Sequence, residues 1–136
     1  MLTLILWFMQ IDTGAELRVS LSNIQQAKGS IYVALYDSEA AFLDTDKIRD
    51  KKIVSVKSTG DLDISFPNLP AGAYAISCFH DVNGNGKLDT NFLGIPTEPY
   101  GFSNNARPKF RAPNWAETKF YLNNNGVTQA IRLEKW

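Results

Sequence analysis

The residue types that bind ions and carry protons crowd one stretch of this chain, His80-Asp81-Val82-Asn83-Gly84-Asn85-Gly86-Lys87-Leu88-Asp89. Oxygen-bearing side chains stand at Asp81, Asn83, Asn85 and Asp89, with Gly86 between them. That is the first three-quarters of an EF-hand-type calcium loop. Calcium takes roughly six to eight oxygens at about 2.3–2.6 Å. A tightly curled backbone aims alternate side chains at one point, Gly86 permits the bend, and the Lys87 carbonyl supplies a further ligand. The pattern departs from a full EF-hand at Phe92, where a bidentate glutamate is expected, and in following a strand rather than a helix. Glu98 is the residue further along that would complete the shell. With Asp81 and Asp89 as the charged ligands, affinity is expected on the order of 10⁻⁴ to 10⁻³ M, as in extracellular modules. The same residues also describe an ion-free turn, because Asn-Gly pairs bend the chain and Asn and Asp side chains cap their own turns. Both readings stand at this level.

Other chemistry is sparser. The sole histidine, His80, adjoins Asp81, and Glu98 shares the loop, so a His–carboxylate pair for acid–base work is one reading. The plainer reading makes His80 a strand-end residue that hydrogen-bonds the loop. Ser103 lies in Gly101-Phe102-Ser103-Asn104-Asn105, which is not a nucleophile elbow. The sequence holds no P-loop, no dinucleotide fingerprint and no zinc-ligand cluster. Tyr100, Phe102, Phe110 and Trp115 offer stacking faces, and Asn104 and Asn105 offer hydrogen bonds, for a small ligand or carbohydrate; buried packing is the alternative use of such aromatics. The single cysteine, Cys78, excludes an intramolecular disulfide and reads as a small buried side chain within a strand. The expectation is therefore a non-catalytic module with no catalytic residues, a small-ligand or carbohydrate binder being the alternative.

Alternating residues predict the scaffold that holds these groups. Leu17, Val19 and Leu21 alternate with polar residues in a first strand. Ile31, Val33 and Leu35 mark a second, expected to pair with the first across Lys28-Gly29. Residues 52–57 and 62–66 give a third and fourth, and Tyr74, Ile76, Cys78 and His80 share one face of a fifth. Residues 117–122 give a sixth. Asn125-Gly126 signals a type I′ hairpin into a last strand over 127–134. Ser38 to Leu43 has the makings of a short helical turn. Seven short strands without a long helical period predict an all-β fold: a seven-stranded antiparallel sandwich of immunoglobulin-like or transthyretin-like form. Between the fifth and sixth strands, Asp81 to Asn114 is far longer than an ordinary connection and is rich in Gly, Pro and aromatics. Its aromatics predict an ordered loop, and a long ordered loop is where function is expected.

Bulk properties set the class. The 136 residues suit one domain, expected over 16–136. Fourteen basic residues balance fourteen acidic ones, which gives no long-range pull on nucleic acid. Met1 to Met9 is almost entirely apolar, too short to span a bilayer but matching the centre of a secretory signal. Thr13-Gly14-Ala15 is an acceptable cleavage site, although no Lys or Arg precedes the apolar run. Residues 1–15 are accordingly expected to be a signal peptide or N-terminal extension, and the product to be periplasmic or secreted, meeting a ligand outside the cell or in its envelope.

The run from His80 to Asn91 continues into Gly94-Ile95-Pro96-Thr97-Glu98 and Tyr100-Gly101-Phe102-Ser103-Asn104-Asn105. With Leu69-Pro70-Ala71-Gly72-Ala73-Tyr74-Ala75 upstream and Pro108-Lys109-Phe110 downstream, it closely resembles the signature of a bacterial family known as domain of unknown function 2141. The resemblance covers nearly the whole chain after residue 15. It implies an exported single-domain protein and carries no established activity. The spacing of Phe66, Leu69, Gly72 and Tyr74 is similar to that in transthyretin-like and carboxypeptidase-regulatory-like sandwiches, a likeness of architecture and not of function.

Overall fold

The computed structural model describes residues 14–136. The expected leader, residues 1–15, lies outside the described residues except for Gly14 and Ala15. Eight strands form two sheets. The smaller sheet joins β4 (Gly60–Leu69), β1 (Ala15–Ile24) and β8 (Val127–Arg132), with β1 central. The larger has the order β3 (Asp50–Ser55), β2 (Ser30–Tyr36), β5 (Gly72–Asp81), β6 (Tyr100–Phe102), and β7 (Phe120–Leu122) pairs with the start of β5. The core lies between the sheets. Leu17, Val19 and Leu21 of β1, Ile31, Val33 and Leu35 of β2, Phe66 of β4, and Ile76 of β5 are all buried there. Period-two alternation puts these residues on the inner faces.

The all-β sandwich stands, with four changes to the expected wiring. The first and second strands do not pair: β1 lies between β4 and β8, while β2 lies between β3 and β5. Alternation reports that a strand buries one face, and both sheets do so, so it cannot say which sheet a strand joins. The sandwich is not purely antiparallel, because β1 and β8 run parallel, Leu17 opposite Val127 and Leu21 opposite Ile131. Asn125-Gly126 does not close a hairpin, since β7 and β8 belong to different sheets; only Gly126 takes a positive φ, at 82°. Finally, an eighth strand, β6, sits inside what read as loop, and the expected sixth strand begins as a helical turn, α1 (Trp115–Thr118).

Three contacts seat the long excursion on this frame. Gly101 of β6 faces Cys78 of β5 and comes so near the opposite sheet that a Cβ there would lie 2.6 Å from Ile131 Cγ2. Ser103 is fully buried where β6 ends: its Oγ accepts from the Ile76 N–H (3.0 Å) and donates to the Thr118 carbonyl (2.6 Å). The side chain of Asn105 then acts as a rung on β8, donating to Ala130 O at 3.2 Å and accepting from Arg132 N at 2.9 Å. These bonds join the middle of the excursion to both sheets.

Candidate functional site

β5 delivers His80 and Asp81 to the mouth of the loop, and the backbone then curls around the Asp81 carboxylate. Asp81 Oδ1 accepts from Asn85 N at 3.2 Å and Oδ2 from Gly86 N at 2.8 Å. Gly84 and Gly86 take positive φ, 73° and 81°, which this curl requires. Asn83 Oδ1 accepts from Asn85 N and Asn85 Oδ1 from Lys87 N, both at 3.2 Å, so successive Asx turns aim alternate side chains inward. Both Asn83 and Asn85 donate their amide N–H₂ to the Asp89 carboxylate, Asn85 at 2.6 Å. The Asn85 amide, with Asn83 behind it, holds the Asp89 carboxyl below the usual carboxylate range. Asp81, Asn83, Asn85 and Asp89 thus belong to one hydrogen-bonded cluster. The Lys87 carbonyl takes no hydrogen bond among the described residues.

This donor set is hard oxygen throughout, the chemistry calcium prefers. In this arrangement the Asn83 and Asn85 amide oxygens are engaged by the Asn85 and Lys87 N–H groups and their N–H₂ groups by Asp89, so a cation here would have to displace those N–H₂ groups from the carboxylate. Glu98 takes a different part. It is buried, its Oε2 accepts from Val82 N at 2.7 Å and its Oε1 from Asp89 N at 2.9 Å. One carboxylate therefore pins both ends of the curl. Among the described residues no three His, Cys, Asp or Glu side chains gather as a metal site; the cluster has two carboxylates, with amides and a carbonyl beside them.

The His80 Nε2 and the Asp81 and Glu98 carboxylates of the His–carboxylate reading are engaged by backbone groups. His80 is 1% exposed, and its Nε2 lies 2.7 Å from the Lys28 carbonyl, which can only accept, so Nε2 carries the proton. No hydrogen bond joins His80 to Asp81 or Glu98 among the described residues. Cys78 is buried, and burial pushes its thiol up to about 12, far from the thiolate a nucleophile needs.

The stacking residues divide. Tyr100 and Phe102 line an open groove of about 450 Å³ together with Leu88, Ile95, Pro96 and Phe110. Trp115 lies elsewhere, edge-on to Phe42 at 6.2 Å. Asn104 and Asn105 are turned to β8 and to the Glu117 and Lys119 carbonyls, so neither is available as a ligand donor in the groove. Arg107, which sequence reasoning missed, is the fastening of this lobe. Its guanidinium lies over the Tyr100 ring at 4.2 Å and donates to Tyr100 O (2.7 Å) and Glu134 O (2.9 Å). No local sequence pattern marks it, because both acceptors are backbone carbonyls distant in the chain.

Fold and site together define a two-sheet β-sandwich with one long, internally bonded excursion between its fifth and seventh strands. Residues 19–130 match the family described as "uncharacterized protein conserved in bacteria" (DUF2141), and the chain belongs to that family. No curated protein and no solved structure matches it.

Proposed function

We propose that this protein is a non-catalytic, exported β-sandwich module whose loop over residues 81–98 takes up calcium weakly and is stiffened by it. The observation that supports the ion is the glycine-bearing curl that brings the Asn83 and Asn85 side chains to Asp89 and wraps the backbone around the Asp81 carboxylate. Calcium would replace the amide N–H₂ groups that now hydrogen-bond the Asp89 carboxylate. The non-catalytic reading is supported by His80 Nε2 and the Asp81 and Glu98 carboxylates, which all bond the backbone and not one another. Export is supported by the apolar N-terminal run and the small residues before Glu16.

The test is calorimetric titration of calcium into chelator-treated protein, paired with thermal unfolding. A ligand that binds only the folded state must stabilise it. At several millimolar calcium the expected gain is about 1 kcal/mol, or a few degrees in Tm for a domain of this size. Asp89→Asn should abolish that response and also lower the metal-free Tm somewhat, since the Asp89 carboxylate accepts from the Asn83 and Asn85 amides. No heat and no shift in the wild-type protein would refute the ion. For export, the mature N-terminus is expected at Glu16, and protein retained in the cytoplasm with Met1 intact would refute it.

A further inference from the structure

The far end of the excursion carries large apolar side chains that face solvent on purpose-built turns. Phe92 is 95% exposed and Leu93 67%, yet the turn that bears them is tightly bonded. Asn91 Oδ1 accepts from Leu93 N (2.9 Å) and Ile95 N (3.1 Å), Asn91 N donates to Ile95 O (2.8 Å), and Gly94 N donates to Asn91 O (2.9 Å). Phe110, 84% exposed, rises from the second lobe and meets Trp136 edge-on at 5.7 Å. Leu93, Phe110 and Trp136 border one groove, and Phe110 and Trp136 also border an adjoining hollow with Lys109 and Lys135. Leu93, Phe110 and Trp136 thus share the border of one groove, and Phe92 stands next to Leu93 on the same turn.

Charge singles out the partner. The chain as a whole is neutral, yet the charged side chains bordering these two hollows are all basic. Two of them, Arg107 and Arg111, are paired with Glu134 and Glu117, whereas Lys109 and Lys135 make no ion pair among the described residues. Protein–protein interfaces favour arginine and deplete lysine. Protruding Phe, Leu and Trp beside free lysines is instead the composition that settles into an anionic bilayer surface, with apolar tips at the acyl boundary and lysines at the headgroups. We propose that Phe92, Leu93, Phe110 and Trp136, flanked by Lys109 and Lys135, form a docking surface for an anionic lipid membrane. The rigid Asn91 turn suits that role, because a tip already ordered loses little freedom on insertion. This goes beyond the calcium reading and does not rest on it.

Sedimentation of the full chain with lipid vesicles, in chelator throughout, tests it. Phosphatidylcholine vesicles containing about a third phosphatidylglycerol should bind the protein more tightly than phosphatidylcholine alone, and added salt should weaken that binding. Phe92→Ser with Leu93→Ser should cost at least about tenfold in partition. Lys109→Ala with Lys135→Ala should cost about tenfold and remove most of the preference for phosphatidylglycerol. Both double variants should unfold at the wild-type temperature, since the altered side chains lie on the surface. Absence of binding to phosphatidylglycerol vesicles overturns the proposal. So does equal binding by wild type and both variants, which would assign the affinity to the apolar residues 1–9 or to another face. So does self-association that Phe92→Ser with Leu93→Ser abolishes without any vesicle binding, which would make the patch an interface between copies. Because chelator is present, a failed calcium titration and a failed vesicle assay are separate results.

Discussion

At the scale of single residues, the excursion depends on side chains that stand in for backbone. Ser103 completes the edge of β5 where β6 has ended and β7 has not begun, and Asn105 completes the edge of β8. Ser103→Ala leaves the Ile76 N–H and the Thr118 carbonyl facing one another's absence inside the fold. The expected cost is about 1–3 kcal/mol by urea unfolding, against a few tenths for Ser77→Ala on the outer face of β5. Neither role was legible beforehand, because a serine or asparagine serving as a rung has no local signature; its partners are distant in sequence. The curl itself was legible. Asp81, Asn83, Asn85 and Asp89 were picked out by spacing; Asn83 and Asn85 both donate to Asp89 while the Asp81 carboxylate accepts from the Asn85 and Gly86 N–H groups, because a glycine-punctuated curl is a short-range structure that its own sequence can specify. Glu98 was read as a ligand from its type alone, and its position shows it bonding the backbone at both ends of the curl.

At the scale of elements, α1 was missed although its signal is local. Asn114 and Glu117 make a reciprocal capping box, Glu117 N donating to Asn114 Oδ1 (2.9 Å) and Asn114 N to Glu117 Oε1 (3.0 Å). Reading Glu117 as the start of a strand overlooked the asparagine three residues before it. Arg111 also donates to Glu117, and that bond, ahead of the Asn114 N–H, holds the Glu117 carboxyl below the usual glutamate range. A depressed folded pKa contributes stability that is present above the unfolded value and lost as pH falls through the folded one. Glu117→Gln should therefore lower stability at neutral pH and flatten the acid limb of the stability–pH curve below the ordinary glutamate pKa, as read by urea unfolding across pH. An unchanged acid limb would mean the Arg111 bond does not persist in solution. At the turn before β5, Tyr74 Oη donates to the Pro70 carbonyl at 2.6 Å, which gives the Pro70-to-Tyr74 spacing a physical purpose.

At the scale of the whole molecule, the two sheets enclose Cys78 against Gly101 and Ile131, so its thiol reports on the integrity of the entire core. Buried and pushed up to about 12, it should resist alkylation in native protein and react only as fast as the sandwich opens. Labelling that tracks urea unfolding measured by circular dichroism is the expected result; rapid labelling in native buffer would mean that β5 and β6 separate locally. Leu133→Ala, beyond the end of β8 and fully buried, should accelerate labelling, since removing a core leucine costs about 2–5 kcal/mol.

Burial periodicity and turn chemistry are carried by neighbouring residues, so the all-β class, the inner faces of the strands and the glycine-bearing curl at Asp81 all followed from the amino-acid order alone. Strand partnership did not. Leu17, Val19 and Leu21 alternate identically whether β1 pairs with β2 or with β4 and β8, and only the close packing of two sheets selects between them. The parallel β1–β8 pair, the β6 strand of Tyr100 to Phe102, and the gathering of Leu93, Phe110 and Trp136 around one groove all bring together residues far apart in the chain. Such contacts form only when the core closes, because their free energy comes from apolar surface buried between sheets, which no short stretch of sequence possesses by itself.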